Sequence, residues 1–282
     1  MTIKALLERV RILDGAMGTM LQEKGMPLGI AADAWNIENP EAVCAVHAAY
    51  LAAGADMLYA NSFGCNALRQ KHGQYPIEAL VGAALKNARR VAGVLPVALD
   101  IEPLRALIEP FGDLEYEEAV ALFAEPIQAG KGADCIVIET MMDLGEAEAA
   151  VRAARQYGGG LPVLCSFSLD AKGRLLTGAD IPAICAAMES AGADAIGCNC
   201  GLGPEQLLSL MPVFLAHTRL PLLMKPNAGL PIVRDGVAVY DMPPARFASA
   251  MRALLDAGAR MLGGCCGTSP AHIEALKDAL TD

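Results

Sequence analysis

AGADAIGCNC, residues 191–200, is the stretch on which the fold turns. A Gly-Ala pair stands where a helix should stop, and a short apolar run then ends in polar and sulfur-bearing residues. The same phrase returns as AGADMLYANSF at 53–63, KGADCIVIET at 131–140 and AGARMLGGCC at 257–266. Glycine accepts the left-handed backbone that follows a helix, so Gly54, Gly132, Gly192 and Gly258 each read as helix stops. Each apolar run has strand length. A second phrase, Leu-Pro and then an apolar run, falls between the first: LPVALDIEP at 95–103, LPVLCSFSLD at 161–170 and LPLLMKPNAG at 220–229. Proline is tolerated as the first residue of a strand. With RILDGAMG at 11–18, these make eight strands.

Helical patterns fill the gaps. NPEAVCAVHAAYLAAG offers Asn39 as N-cap, Pro40 at the first helical position and Gly54 as stop. EYEEAVALFAEPIQAGKG, LGEAEAAVRAARQYGGG, GPEQLLSLMPVFLAHT and SPAHIEALKDAL occupy similar slots, the last with Ser269 as N-cap and Pro270 behind it. Strands that are apolar on both faces and alternate with helices imply a parallel sheet covered by helices. Eight such units predict a closed (β/α)8 TIM barrel, α/β in class, as a single domain over residues 1–282. No low-complexity run divides it.

In that fold, active sites gather at the C-terminal ends of the strands. Read in order, those ends are Asp14 and Gly15; Asn61, Ser62 and Phe63; Asp100 and Glu102; Glu139 and Thr140; Ser166 and Ser168; Asn199 and Cys200; Lys225 and Asn227; Cys265 and Cys266.

Composition narrows the class. The 282 residues are 54% hydrophobic and 19% charged, which argues for a large core and against disorder. No apolar run is long enough to span a bilayer, and the N-terminus lacks the uninterrupted apolar segment of a signal peptide. The expectation is a cytoplasmic protein without a membrane partner. A net charge of −10 disfavours nucleic acid. Nine cysteines make an odd number for a disulfide framework, so in a reducing compartment they are core residues, nucleophiles or metal ligands. His47, His72, His217 and His272 fall mostly in helical or loop patterns away from the strand ends, and neither H-E-x-x-H nor a phosphate-binding glycine loop occurs.

Cys200 ends the sixth strand, and Cys265 and Cys266 end the eighth. These strands flank the seventh, so three sulfurs face one side of the barrel mouth. Gly263, Gly264 and Gly267 are expected to release the backbone through positive φ, letting adjacent sulfurs turn the same way. Three thiolates are a strong donor set for Zn2+, and three protein ligands leave a fourth position open, as catalytic zinc sites do. An incoming thiol would be deprotonated there, which favours thiol alkylation over hydrolysis. A strained vicinal disulfide, or plain packing of small residues, are the other readings of the Cys-Cys pair. Cys44, Cys135, Cys165 and Cys185 read as core, and Cys198 as a deeper residue on the strand face of Cys200.

GCNCGLGP, KPNAGLP and GGCCGTSPAHI, together with LDGAMGTML and YANSFGCN, resemble the homocysteine S-methyltransferase family. The resemblance covers nearly the whole chain and is strongest to the homocysteine-binding N-terminal module of cobalamin-dependent methionine synthases. It implies a zinc barrel that methylates homocysteine to methionine, with Cys200, Cys265 and Cys266 as metal ligands and catalytic residues. It implies that Asp14, Gly15 and Glu139 hold the amino and carboxylate groups of homocysteine, with Ser62 and Asn199 as weaker contributors. Asn227, between the two ligand strands, is a candidate fourth zinc ligand in the substrate-free state. The chain stops at Asp282 and carries no D-x-H corrinoid-ligand motif, so the donor is expected to be another molecule or another protein; the resemblance implies a methyl-corrinoid on a separate protein. S-methylmethionine, S-adenosylmethionine or betaine is the alternative donor, and another small thiol the alternative acceptor. The third reading is a non-catalytic zinc- and thiol-binding subunit of a corrinoid complex. Aromatic residues are only 5% of the chain, which disfavours the aromatic cage a betaine donor would want.

Overall fold

Every predicted strand forms. In a computed structural model they are β1 (Arg11–Ile12), β2 (Leu58–Tyr59), β3 (Val97–Ile101), β4 (Cys135–Met141), β5 (Val163–Phe167), β6 (Ala195–Asn199), β7 (Leu222–Lys225) and β10 (Ala259–Leu262). They pair in parallel in the order β1-β10-β7-β6-β5-β4-β3-β2. A parallel bridge between Leu13 and Met57 and the Asp56 N–H to Ile12 O bond of 2.8 Å join the two ends of this sheet, closing the barrel. The structure describes all residues except Leu28, His72, Asp235, Gly236 and Asp282, and side chains except those of residues 233–238. The reading of His72 therefore lies outside the described residues.

The connecting helices start and stop as their residues dictate. The Asn39 side chain accepts from Ala42 N at the head of the helix Pro40–Ala52, and Asp143 and Asp180 cap the helices Leu144–Tyr157 and Ile181–Ala191 in the same way. Gly54, Gly132, Gly192 and Gly258 all take positive φ, between 89° and 110°. The last helix, Pro270–Thr281, has a variant start: Ser269 N–H donates to His272 Nδ1, so a histidine fills the place usually held by Glu. Several short helices were not anticipated, among them Ile3–Leu6 and Gly18–Glu23, and neither was one pair of strands. A short antiparallel hairpin, β8 (Ile232–Arg234) with β9 (Val237–Val239), follows β7 outside the barrel.

Two layers of apolar side chains result. The larger joins sheet and helices, and includes Ile136, Ile138, Cys165 and Cys198. The smaller fills the barrel interior with Leu13, Met57, Tyr59, Ala98, Cys135, Val137, Leu164, Ala195, Leu223 and Met261, above Leu6 from the short N-terminal helix Ile3–Leu6. Side chains alternate between faces along a strand. Stepping two residues onward from these inward positions gives Asp100, Glu139, Ser166, Lys225 and Gly263. The barrel's interior therefore changes from apolar to ionisable toward its C-terminal end.

Candidate functional site

That change of character produces a buried charged cluster. Lys225 Nζ lies 3.3 Å from Asp14 Oδ1 and 3.8 Å from Glu139 Oε2, and 3.7 Å from the centre of the Tyr59 ring. Tyr59 N–H donates to Asp14 Oδ2 at 2.8 Å, which fixes that carboxylate against β2. Asp14, Glu139, Asp100 and Lys225 are all buried. Burial pushes the three carboxyls above their ordinary range; Lys225 pulls each back in part, and the neighbouring carboxylate of Glu139 pushes Asp100 up further. Burial alone would lower the Lys225 ammonium, but Glu139 and Asp14 outweigh it and the group stays charged. Glu139 Oε2 and Asp100 Oδ1 are buried without a hydrogen-bond partner. Such atoms are rare and call for a ligand.

The three sulfurs converge beside this cluster. The Sγ atoms of Cys200, Cys265 and Cys266 all lie within 4.8 Å of one another, with Cys200 and Cys266 3.8 Å apart. Hydrogen bonds from the thiols of Cys200 and Cys265 pull the Cys266 thiol well below its ordinary range. All nine cysteines are free thiols, and Cys44, Cys65, Cys135, Cys165, Cys185 and Cys198 are buried in the core.

The backbone achieves this differently from the expectation. Among the three expected glycines only Gly267 has positive φ, at 77°. Gly263 and Gly264 are needed for space: a Cβ at 263 would stand 2.8 Å from Asp14 O, and one at 264 would stand 2.4 Å from Thr268 Oγ1. The second departure is at Cys200, which lies past the end of β6 with φ of 56°, followed by Gly201 at 64°. The expectation that Cys200 shares a strand face with Cys198 fails for this reason. Cys198 packs into the outer layer, whereas the left-handed turn re-aims Cys200 into the mouth. The Cys200 turn is pinned by Cys200 N–H to Lys225 O at 3.2 Å and Asn227 N–H to Leu202 O at 3.0 Å, and the Cys265–Cys266 turn by Cys265 N–H to Pro226 O at 2.8 Å and Ala228 N–H to Cys266 O at 3.0 Å.

A cavity of about 470 Å³ opens above both groups, within the range of small-molecule sites. Asp14, Gly15, Glu139, Cys200, Cys265 and Cys266 line it, so six of the nine residues selected from the sequence share one cavity. Gly15 has no room for a side chain, since a Cβ there would stand 2.8 Å from Thr268 Oγ1 and the Tyr50 ring. Ser62, Asn199 and Asn227 do not line the cavity. Ser62 Oγ donates to Asp100 O at 2.9 Å, bracing β3. Asn199 accepts from Thr140 N–H and Ser166 Oγ–H, both at 2.7 Å, and donates to Thr140 Oγ1. It thereby holds Thr140, a non-glycine residue at φ of 65°, next to Glu139. Asn227 is buried between the β6 and β10 turns, donating its N–H to Leu202 O, and its Oδ1 has no partner.

The sequence reading had Lys225 and Asp100 among its strand-end candidates but gave them no role, and it did not single out Tyr59. Alternation along β7 and β3 was the available signal. It also passed over Arg69 and Arg105, which line the outer rim and are both anchored on the buried Glu102, at 3.3 Å and 3.2 Å. His47 and His272 are buried in helices and His217 is exposed, and none of the three lines the cavity. A second hollow of about 430 Å³, at the opposite end of the barrel against Leu7, Leu222 and Arg260, contains none of the strand-end residues.

Comparison with known proteins agrees with this geometry. The family model for homocysteine S-methyltransferase matches residues 11–280. The methionine synthase of Mycobacterium leprae (strain TN) is 32% identical over 301 residues, covering 99% of this chain and 25% of that protein. The chain thus spans about a quarter of the length of the curated relatives it matches. The metallated form of the Escherichia coli homocysteine methyltransferase MmuM superposes with a TM-score of 0.84 at 27% identity, over 98% of this chain and 99% of that one. Its apo form superposes with a TM-score of 0.75 over 96% of each chain. With the match running through β1, the three-sulfur turns and the last helix, the chain belongs to the homocysteine S-methyltransferase family.

Proposed function

We propose that this barrel, over residues 1–282, takes up homocysteine and transfers a methyl group to its sulfur, giving methionine. The observation that carries the reading is the meeting of three convergent cysteine sulfurs with buried, unpartnered carboxylate oxygen in one cavity.

Cys200, Cys265 and Cys266 would hold a Zn2+ ion. The donor set fits it: three sulfurs already lie close together, and hydrogen bonds from its two neighbours favour the thiolate form of Cys266. Bound there, the ion would supply the positive charge that keeps a substrate thiol deprotonated at neutral pH. The rest is the work of the chain. Glu139 Oε2 accepts the substrate ammonium, with Asp14 beside it. Backbone N–H groups around Gly15 take the carboxylate, and the absence of a side chain there lets the substrate approach. Ser62 and Asn199 contribute by bracing Asp100, Thr140 and Glu139. Asn227, with its unpartnered Oδ1, is the candidate that completes the metal shell before substrate arrives. In the overall exchange the sulfur gains the methyl group, the donor loses it, and the thiol proton leaves to solvent.

The donor in this reading is a methyl-corrinoid carried by a separate protein that meets the C-terminal rim. The setting is the cytoplasm, where reducing conditions keep nine thiols free. Among the described residues no helix is long and apolar enough to cross a membrane.

The test is a methyl-transfer assay on purified protein with homocysteine and a donor panel of methyl-corrinoid protein, S-methylmethionine, S-adenosylmethionine and betaine, with zinc measured on the same sample. Methionine formation with one zinc per chain supports the reading, and the donor that works identifies the source. Absence of stoichiometric metal, with no change on Cys200→Ala, overturns it. Zinc and homocysteine binding without turnover by any donor would assign the chain to a non-catalytic thiol-binding role.

A further inference from the structure

Lys225 has no part in the scheme above, yet its ammonium stands where a substrate ammonium is to go. It faces both Asp14 Oδ1, at 3.3 Å, and Glu139 Oε2, at 3.8 Å, from the face of the Tyr59 ring. Two ammonium groups cannot share those oxygens without strong repulsion. We infer that Lys225 is an internal competitor for the ammonium of the acceptor, and that Asp100 is the seat to which it withdraws when an amino thiol binds. The inference rests on Asp14 and Glu139 being the ammonium site.

Three features support the exchange. Lysine has three donors on a flexible stem, and only the Asp14 contact is within hydrogen-bond distance, so Nζ has donors left to offer another acceptor. Asp100 lines the same cavity, is buried, and has an Oδ1 with no partner. Its carboxylate thus offers the lysine a second acceptor. The stem has clearance because residue 263 is glycine: a Cβ there would stand 3.1 Å from Lys225 Cγ.

Charge balance points the same way. Asp14, Asp100 and Glu139 face a single lysine, and burial holds their carboxyls above the ordinary range, so a second cation would be balanced by release of a carboxyl proton. An amino thiol brings that cation: its ammonium takes Glu139, and Lys225 moves to Asp100. A thiol without an amino group leaves Lys225 where it is and gains nothing from Glu139. Lys225 thus becomes a specificity-determining residue, setting how strongly an ammonium-bearing acceptor is preferred and holding the carboxylates apart until it arrives.

The experiment is calorimetric titration of the zinc-loaded protein with homocysteine and with its amine-free analogue γ-mercaptobutyrate, for wild type, Lys225→Met and Asp100→Asn. Removing the competitor should tighten homocysteine by about tenfold while γ-mercaptobutyrate stays the same or weakens. Removing the second seat should weaken homocysteine by about tenfold and leave γ-mercaptobutyrate within about twofold. If Lys225→Met weakens both thiols alike, the lysine only supports the site and the inference is wrong. If Asp100→Asn leaves homocysteine binding unchanged, Asp100 is not the seat. Should Lys225→Met fail to fold, Asp100→Asn and a crystal structure of the wild-type homocysteine complex decide: Nζ bonded to Asp100 supports the exchange, and Nζ still on Asp14 refutes it. A wild-type protein that binds neither thiol overturns the proposed function instead.

Discussion

Gly264→Ala tests whether the sulfur turn is built by close packing. Gly264 has no positive φ, so alanine is acceptable to the backbone and only space opposes it. The new Cβ would lie 2.4 Å from Thr268 Oγ1, 2.5 Å from its Cγ2 and 2.7 Å from its Cβ. Thr268 is buried and cannot swing away freely: its Oγ1 donates to Cys265 O at 2.7 Å and accepts from Ala16 N–H at 3.2 Å. Overpacking of this kind costs about 1–3 kcal/mol. Losing the two hydrogen bonds adds about 1 kcal/mol each. The expected loss is therefore roughly 3–5 kcal/mol by chemical denaturation, accompanied by weaker zinc retention, because Cys265 and Cys266 sit on the displaced turn. A double-mutant cycle with Thr268→Ala separates the causes. Trimming Thr268 removes two of the three clashing atoms, so the double variant should be more stable than the sum of the single losses by about 1 kcal/mol or more. Strict additivity, or a Gly264→Ala variant within about 0.5 kcal/mol of wild type, would refute the packing argument.

Two further outcomes are expected. Cys200→Ala should lower zinc well below one per chain and abolish methyl transfer, whereas Cys198→Ala, which trims a sulfur buried in the outer layer, should keep the metal and lose only about 1 kcal/mol of stability; equal metal loss in both would contradict the division of sulfurs. His47 is fully buried with both ring nitrogens unpartnered, and burial holds it down to about 4. The folded chain therefore stays neutral there while the unfolded chain binds a proton below about 6.5, so stability is present above that pH and falls by up to roughly 3 kcal/mol as pH drops through 4. Glu146, pushed up to about 7 by burial, acts in the opposite sense, its contribution fading as pH rises from about 4.5 to 7. The measurement is thus the difference between wild type and His47→Leu across this range, and a pH-independent difference would rule His47 out.

Much of the site was legible because this fold makes linear order and angular order the same. Once the recurring Gly-Ala and Leu-Pro phrases identified eight strands, strand ends six and eight had to flank the seventh, and three sulfurs came together on paper. The charged cluster was harder to see. Lys225 and Asp100 were visible as strand ends, but their partners lie on β1, β2 and β4, and no local pattern announces a buried ion pair across a barrel. The hairpin β8–β9 was missed because it interrupts a connection in which only one helix was expected.

The sequence by itself determined the alternation of strands and helices, the helix caps, and the residue types gathered at one end of the sheet, because periodicity and capping are local properties of the chain. Tertiary structure decided which way those residues face. Cys200 points into the mouth only because the chain leaves the strand in a left-handed turn, and Gly263 and Gly264 matter for the atoms of Asp14 and Thr268 pressed against them. Lys225 meets Asp14 because β1 pairs with β10 and β10 with β7, which brings the first strand round beside the last two. That pairing puts residues 211 positions apart within a hydrogen bond of each other, and no periodicity along the chain encodes that contact.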